Sequence, residues 1–367
     1  LRSAIAATVE DGIVRVVMPG PANVCIEFDD GDRLFVFASA PESAPPASDD
    51  PQVHYFRGGQ VYEVPELTLK DGETLYLEAG AVFKGSIRAT AARNVRVRGR
   101  GVIDGSYFVR GVDGRHSIRF EGCEGVCIED VTIVNPSGWM LVLSACRDAQ
   151  VRNVRELACG LGSDGIDLVS CRDVVVEDCF LHNGDDCIAI KAFNTADRGA
   201  SADVENILVQ RCALMNQEGG NALEIGFELR ARAVRNIVFR DCDVICVHHH
   251  GAVFSIHNGE FATVENVRYE DIRVEHYYDL LIDLRIVWSR WSRFPERGRI
   301  RNVQFKNIYV QQAKDNWGYS KSLIGGYDPQ HMIEHVVIEE FYLDNQKVTT
   351  ADALDLYIKN ARDVVIK

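Results

Sequence analysis

The 367-residue sequence contains no apolar run long enough to span a membrane, and no signal-peptide pattern is visible at its start. Positive charge is scarce: 40 Lys and Arg stand against 54 Asp and Glu, a formal net charge of −14. Such a balance argues against nucleic acid, whose phosphates demand a basic surface, and more weakly against a polyanionic substrate. Helical periodicity is also missing. The apolar segments are too short and too rich in Val and Ile to supply ten or more residues at 3.6 spacing. Eleven cysteines are present, yet none has zinc-type spacing. The run His248-His249-His250, taken with His257, lacks a carboxylate and a further ligand at fixed spacing, so neither a metal nor another cofactor is expected.

What the chain does have is a repeat of roughly 23 to 36 residues, the range that signals a solenoid. Each unit opens on a turn residue: Asn94, Gly125, Asp148, Asp173, Asn206, Asn236, Asn266, Asn302, His335 and Asp363. An apolar residue follows at once (Val95, Val126, Ala149, Val174, Ile207 and onward) and another two places later (Val97, Ile128, Val151, Val176, Val209 and onward). This is strand alternation, β-branched and repeated once per unit. The fold class is therefore all-β, a right-handed parallel β-helix whose coils stack like residues into ladders. One ladder runs Val131, Val154, Cys179, Cys212, Cys242, Ile272, Ile308, Phe341; another runs Cys123, Cys146, Cys171, Val204, Val234, Val264, Ile300, Ile333. Most cysteines thus alternate with Val and Ile and are expected as buried free thiols, with a bridge such as Cys146–Cys171 left open. Unpaired thiols favour a reducing, cytoplasmic compartment over a secreted one. Asn135, Asn183, Asn216 and Asn345 recur at one turn, where a left-handed backbone is expected.

Residues 1–56 lack the repeat. Short strands at Ile13–Val17, Val24–Phe28 and Leu34–Phe37, with turns at Pro19–Ala22 and Asp29–Asp32, suggest a small antiparallel, sandwich-like β-domain. It is expected to be incomplete because residue 1 is Leu, and a Pro/Ser/Asp linker over about 40–52 follows. The catalytic solenoid is then assigned to 57–367, with its regular coils starting near Glu66 to Ala81.

A second strand in each unit stacks Trp139–Leu143, Asp164–Leu168, Asp186–Ile190, Ala222–Gly226, Ala252–Ile256, Leu281–Ile286 and Ser322–Gly326 into one sheet. That alignment puts Asp164, Asp185 and Asp186 on adjacent coils of one face. Single Asp-Gly or Asp-Asp pairs are ordinary turn chemistry. Three carboxylates at matched depth are what glycosidic hydrolysis needs: one acid to protonate the leaving oxygen, and carboxylates to activate water on the other face of the sugar.

Gly162-Ser163-Asp164-Gly165-Ile166-Asp167 and Gly184-Asp185-Asp186-Cys187-Ile188-Ala189-Ile190-Lys191 resemble the paired aspartate motifs of the polygalacturonase family of glycoside hydrolases. The resemblance implies an inverting hydrolase with Asp185 as general acid and Asp164 with Asp186 holding the water. The chain departs from that family in two places. Gly219-Gly220-Asn221-Ala222-Leu223-Glu224-Ile225-Gly226 stands for a Gly-His-Gly element, and the strand Ala252-Val253-Phe254-Ser255-Ile256-His257 falls where Arg-Ile-Lys would bind a uronate. Leu223-Glu224-Ile225-Gly226-Phe227 is similar instead to the related dextranase and isopullulanase family, whose members act on neutral α-glucans and carry an N-terminal β-sandwich. The second likeness favours a neutral α-linked glycan. Arg285, on the next coil of the same face, could replace the missing cation and keeps an α-galacturonide open.

Further substrate contacts are expected from Lys191, Asn221, Glu224, His250, His257, Trp139 and Trp288, the aromatic rings by stacking on sugar. The expected partner is an oligosaccharide or polysaccharide, with no nucleic acid and no membrane. Two other readings of the same architecture remain: a polysaccharide lyase, which needs an acidic sugar, usually calcium and a basic residue, and a non-catalytic glycan-binding fibre or adhesin.

Overall fold

The computed structural model describes residues 6–18, 20–28, 31–312 and 316–367. It separates into two units, Leu1–Asp50 and Pro51–Lys367. In the first, Ala7–Glu10 pairs antiparallel with Ile13–Val16, and Ala22–Glu27 pairs antiparallel with Arg33–Ala38. The expected turns over 19–22 and 29–32 include Pro19, Asp29 and Asp30, which lie outside the described residues.

The second unit is a right-handed parallel β-helix with three strands per coil along its middle and two toward its ends, and it begins earlier than the sequence suggests. Val53–Phe56, placed by its sequence in the N-terminal domain, pairs in parallel with Thr74–Leu77. The reason is burial. Phe56 packs against the solenoid core, edge-on to Tyr62 and Phe83 at 4.9 and 5.4 Å, so the boundary falls at 50/51 instead of 56/57.

All ten turn residues that open the repeat have a left-handed backbone, with φ between 52° and 68°. That conformation disfavours most side chains but suits Asn, Asp and Gly. It bends the chain once per coil at a fixed place. Side-chain amides then stitch the coils together, with Asn206, Asn236, Asn266 and Asn302 each donating to the residue one coil earlier at 2.8–3.2 Å. The following apolar positions pair in the expected order, from Val126 to Ala149, Val174, Ile207, Ile237, Val267, Val303, Val336 and Val364.

Both apolar ladders are buried, and stacked rings of Phe239, Tyr269 and Phe305 extend the core at 5.1 and 4.9 Å between centroids. No disulfide joins any of the eleven cysteines, and eight are buried, so Cys146 and Cys171 act as small apolar side chains. The Asn turn splits. Asn135 and Asn345 are left-handed, whereas Asn183 and Asn216 end strands and spend their side chains on bonds near the carboxylates.

Candidate active site

The strand register decides whether the three aspartates meet. Leu141 pairs with Ile166, Ile166 with Ile188, Ile188 with Leu223, and Leu223 with Phe254. Counting back two residues places Trp139, Asp164, Asp186 and Asn221 on successive coils. The backbone agrees: Gly165 N donates to Asp186 O at 2.8 Å and Met140 N to Asp164 O at 2.8 Å. Neighbouring coils lie about 4.8 Å apart, so the carboxyls crowd together on the outer face of this sheet.

Each carboxyl is fixed by a different set of donors. Asp186 Oδ1 accepts from the backbone N–H and the side-chain amide of Asn221 at 2.7 and 2.9 Å. Asp185 Oδ2 accepts from Gly162 N at 2.7 Å and its Oδ1 from Asp186 N at 3.1 Å, while its backbone carbonyl accepts from the Asn216 amide at 2.6 Å. Gly220 has φ 76° and comes so close that a Cβ would lie 2.4 Å from Asp186 N, so a side chain there would displace both aspartates. The loop before Asp164 is clamped by Arg110, which donates to the carbonyls of Cys159 and Leu161 at 2.7 and 2.6 Å and also to that of Gly160.

Lys191 lies beneath this group, 5 % exposed, and donates to Asp164 Oδ2 at 2.9 Å and Asp167 Oδ1 at 2.5 Å. Burial alone would lower its pKa, but the charges of Asp164, Asp167 and Asp186 hold it well above its ordinary value. One ammonium cannot offset so many carboxylates. Burial raises the pKa of Asp164 and carries those of Asp167 and Asp186 well up. Asp164 and Glu224 add to the effect at Asp186. Asp164 and Asp186 likewise raise the pKa of Asp167 by like-charge repulsion.

Along the groove, Glu224, Ser255 and Asp283 align on successive coils, and His257 aligns with Arg285 beside them. His257 bridges two carboxylates, Nδ1 to Glu224 and Nε2 to Asp283, each at 3.0 Å. Burial would lower its pKa, yet those carboxylates hold it at about 9, so the ring is cationic at neutral pH. Phe227 stacks on it at 4.4 Å. Arg285 Nη2 donates to Asp283 at 2.5 Å, with 37 % of the side chain still exposed.

Several expected substrate contacts are engaged by the protein itself. Glu224 is wholly buried against His257, and Asn221 is committed to Asp186 and, through its Oδ1, to Ala252 N. Trp139 stacks on His116 at 5.3 Å and receives the Lys191 ammonium 4.1 Å from its ring centre. Trp288 is 55 % exposed with the Arg297 guanidinium 4.8 Å from its ring centre. His250 is exposed at the rim, on the turn two coils beyond Asp185, with Asp279 at 3.8 Å. His248 stands with Cys246 and His276, separate from the His257 network.

Asp167, Asp283 and Asn216 were missed as site residues. Asp167 carried a usable signal, because it closes the same motif as Asp164. Strand alternation obscured it: three residues apart in a strand means opposite faces, but the strand starts only at Ile166, so both carboxyls reach Lys191. A concavity of about 700 Å3 lies elsewhere along the Asn ladder and is lined by Arg268 and His335 but by no carboxylate.

A buried glutamate supports the site from the core side. Glu156 accepts from Asn183 Nδ2 at 3.1 Å, and a Cβ on Gly165 would lie 2.5 Å from its Oε2. Burial pushes its pKa from 4.5 to about 8. The unfolded chain releases this proton near 4.5 and the folded chain near 8. Stability therefore falls as pH rises between those values and levels off above them. Glu156→Gln should stabilise the fold by roughly 3 kcal/mol at pH 7 and have little effect at pH 4. Urea midpoints at the two pH values check this, and an equal shift at both would contradict it.

The sequence profile of Glycosyl hydrolases family 28 matches residues 65–319. The chain belongs to that family. Among curated relatives, the probable endopolygalacturonase D of Emericella nidulans is 25 % identical over 198 residues, 53 % of this chain and 34 % of its own length. The probable rhamnogalacturonase A of Aspergillus oryzae is 26 % identical over 207 residues, 55 % of this chain and 39 % of its own. The matched stretches thus span little more than a third of those family 28 relatives. Among solved structures, the hyperthermoactive exopolygalacturonase of Thermotoga maritima superposes with a TM-score of 0.65 at 18 % identity, covering 79 % of this chain and 78 % of its own. Dex49A from Penicillium minioluteum gives 0.67 at 15 % identity, covering 100 % of this chain and 77 % of its own. At such identities these superpositions establish the fold alone.

Proposed function

We propose that this family 28 protein hydrolyses an α-linked galacturonide polymer or oligomer with inversion at the anomeric carbon. The observation that carries the proposal is the cluster of Asp164, Asp185 and Asp186 on one groove face, supported by Lys191. Asp185 protonates the departing glycosidic oxygen, and Asp164 with Asp186 hold and deprotonate the attacking water. These roles follow from the motif resemblance.

The neutral-glucan preference drawn from the sequence gives way to a galacturonide for two reasons. The curated relatives are named for polygalacturonase and rhamnogalacturonase activities. Half-exposed Arg285 stands on the groove face next to buried His257, and its guanidinium supports capture of a uronate carboxylate despite the lost Arg-Ile-Lys element. A lyase would need a basic side chain able to take the α-proton, and Lys191 is held protonated by its carboxylates.

The test is a panel of acidic and neutral α-linked oligosaccharides, with NMR of the anomer released first. Turnover of galacturonides with inversion is expected. A retained anomer would overturn the mechanism, and turnover of neutral glucans alone would overturn the substrate. Arg285→Ala should raise KM for an oligogalacturonide by at least about 10-fold, the scale of a lost charged hydrogen bond, with a smaller change in kcat. An unchanged KM would remove Arg285 from the subsite.

A further inference from the structure

Apart from the carboxylates, the described residues bring together one other group with ligand chemistry. The Cys246 sulfur and one ring nitrogen each of His248 and His276 lie within 4.8 Å of one another. We propose that these three side chains bind one thiophilic divalent cation, with zinc as the reference ion. The proposal concerns a site outside the hydrolytic cluster and does not depend on the substrate assigned above.

The fold explains how they meet. Cys246 is next to last in the strand Asp243–Val247, and His248 follows just past its end. His276 comes from the next coil. Val247 bridges to Tyr277, with Val247 N donating to His276 O at 3.1 Å and Tyr278 N to Val247 O at 2.8 Å, which sets His276 level with Cys246. Two ligands thus come from one strand end at a spacing of two, and the third from the stacked coil. Rigid strands hold Cys246, which is buried, while His248 is exposed and His276 half-buried, so the imidazoles can close on an ion arriving from solvent.

The donor set indicates which ion. One thiol and two imidazoles, with no carboxylate in the group, suit zinc and similar borderline-soft cations and not calcium or magnesium, which take oxygen ligands. Met215 adds to the soft character: it stands in register with Cys246 one coil back. In a tetrahedral zinc site the ligand atoms are about 3.4–3.6 Å apart, so side-chain rotation of up to an ångström or so completes the geometry. On binding, the Cys246 thiol loses its proton to water, the sulfur bonds the cation, and the fourth position is left to water.

The location ties the site to the groove. His248 N donates to Asn216 O at 3.1 Å, and the Asn216 amide donates to the carbonyl of Asp185 at 2.6 Å. A cation would fix the turn 248–251 and, through Asn216, the backbone carrying Asp185.

The test is titration of chelator-treated full-length protein with Co2+, followed by absorption and then displaced by Zn2+. One equivalent should bind and produce a thiolate-to-cobalt charge-transfer band, and zinc should abolish it. Cys246→Ser should eliminate the band. His248→Ala, which alters only an exposed turn residue and so tests the site without burdening the core, should weaken binding at least tenfold, and His276→Ala likewise. Cys159→Ser, at the exposed thiol elsewhere, should leave the titration unchanged. The proposal is overturned by absence of the band at one equivalent, by its survival in Cys246→Ser, or by unchanged affinity in both His variants.

Discussion

Asp185→Asn should lower kcat on an oligogalacturonide by about 10²- to 10⁴-fold, the range for loss of a general acid, while binding is largely retained. The amide keeps the shape of the carboxyl, and its one oxygen can still accept the shorter bond from Gly162 N while the longer one from Asp186 N is lost, so the turn should survive. The distinguishing measurement uses an activated aryl galacturonide, whose leaving group departs without protonation. If Asp185 is the acid, Asp185→Asn should regain most of its loss on that substrate. Asp164→Asn and Asp186→Asn should stay inactive on both, because their water is still required. Recovery by Asp186→Asn instead would exchange the roles of the two neighbours. Full activity of Asp185→Asn on the natural linkage would remove Asp185 from the role of general acid.

Lys191→Met is the second large effect. The substitution keeps the apolar stem but leaves Asp164 and Asp167 buried without their cation. Removing one partner of a buried ion pair costs about 3–5 kcal/mol, and that loss is expected in chemical unfolding at neutral pH. The sign with pH is fixed by the carboxyls. Lys191 lowers the pKa of both aspartates, so without it they rise further and protonate more readily. The destabilisation should therefore shrink as pH falls. The acid limb of kcat/KM should move to higher pH, because Asp164 must be ionised to help activate water. An unmoved acid limb in a folded variant would mean that Lys191 does not set the Asp164 titration.

The variants bear on how this chain encodes its site. The β-helix was legible because its determinants are local and repeat. A left-handed Asn, Asp or Gly followed by alternating Val and Ile appears once per coil, and each copy bends and buries the chain alike. The aspartate cluster was legible for the same reason, since Asp164 and Asp186 occupy equivalent places in that repeat. The entry strand Val53–Phe56 was misplaced because the first coil has no neighbour before it to repeat, and only its packing against Phe83 marks it as solenoid.

Alternation within a coil thus dictates fold and core, and its repetition puts Asp164 and Asp186 at equivalent places on neighbouring coils. The charge state and company of the groove side chains are another matter. That Glu224 is buried under His257, that Asp283 and Arg285 complete its network, and that His276 reaches Cys246 and His248 depend on how coils of unequal length fall into register. Desolvation and Coulomb interaction act over a few ångströms between residues some 26 to 33 positions apart, so only the stacked structure brings them into range.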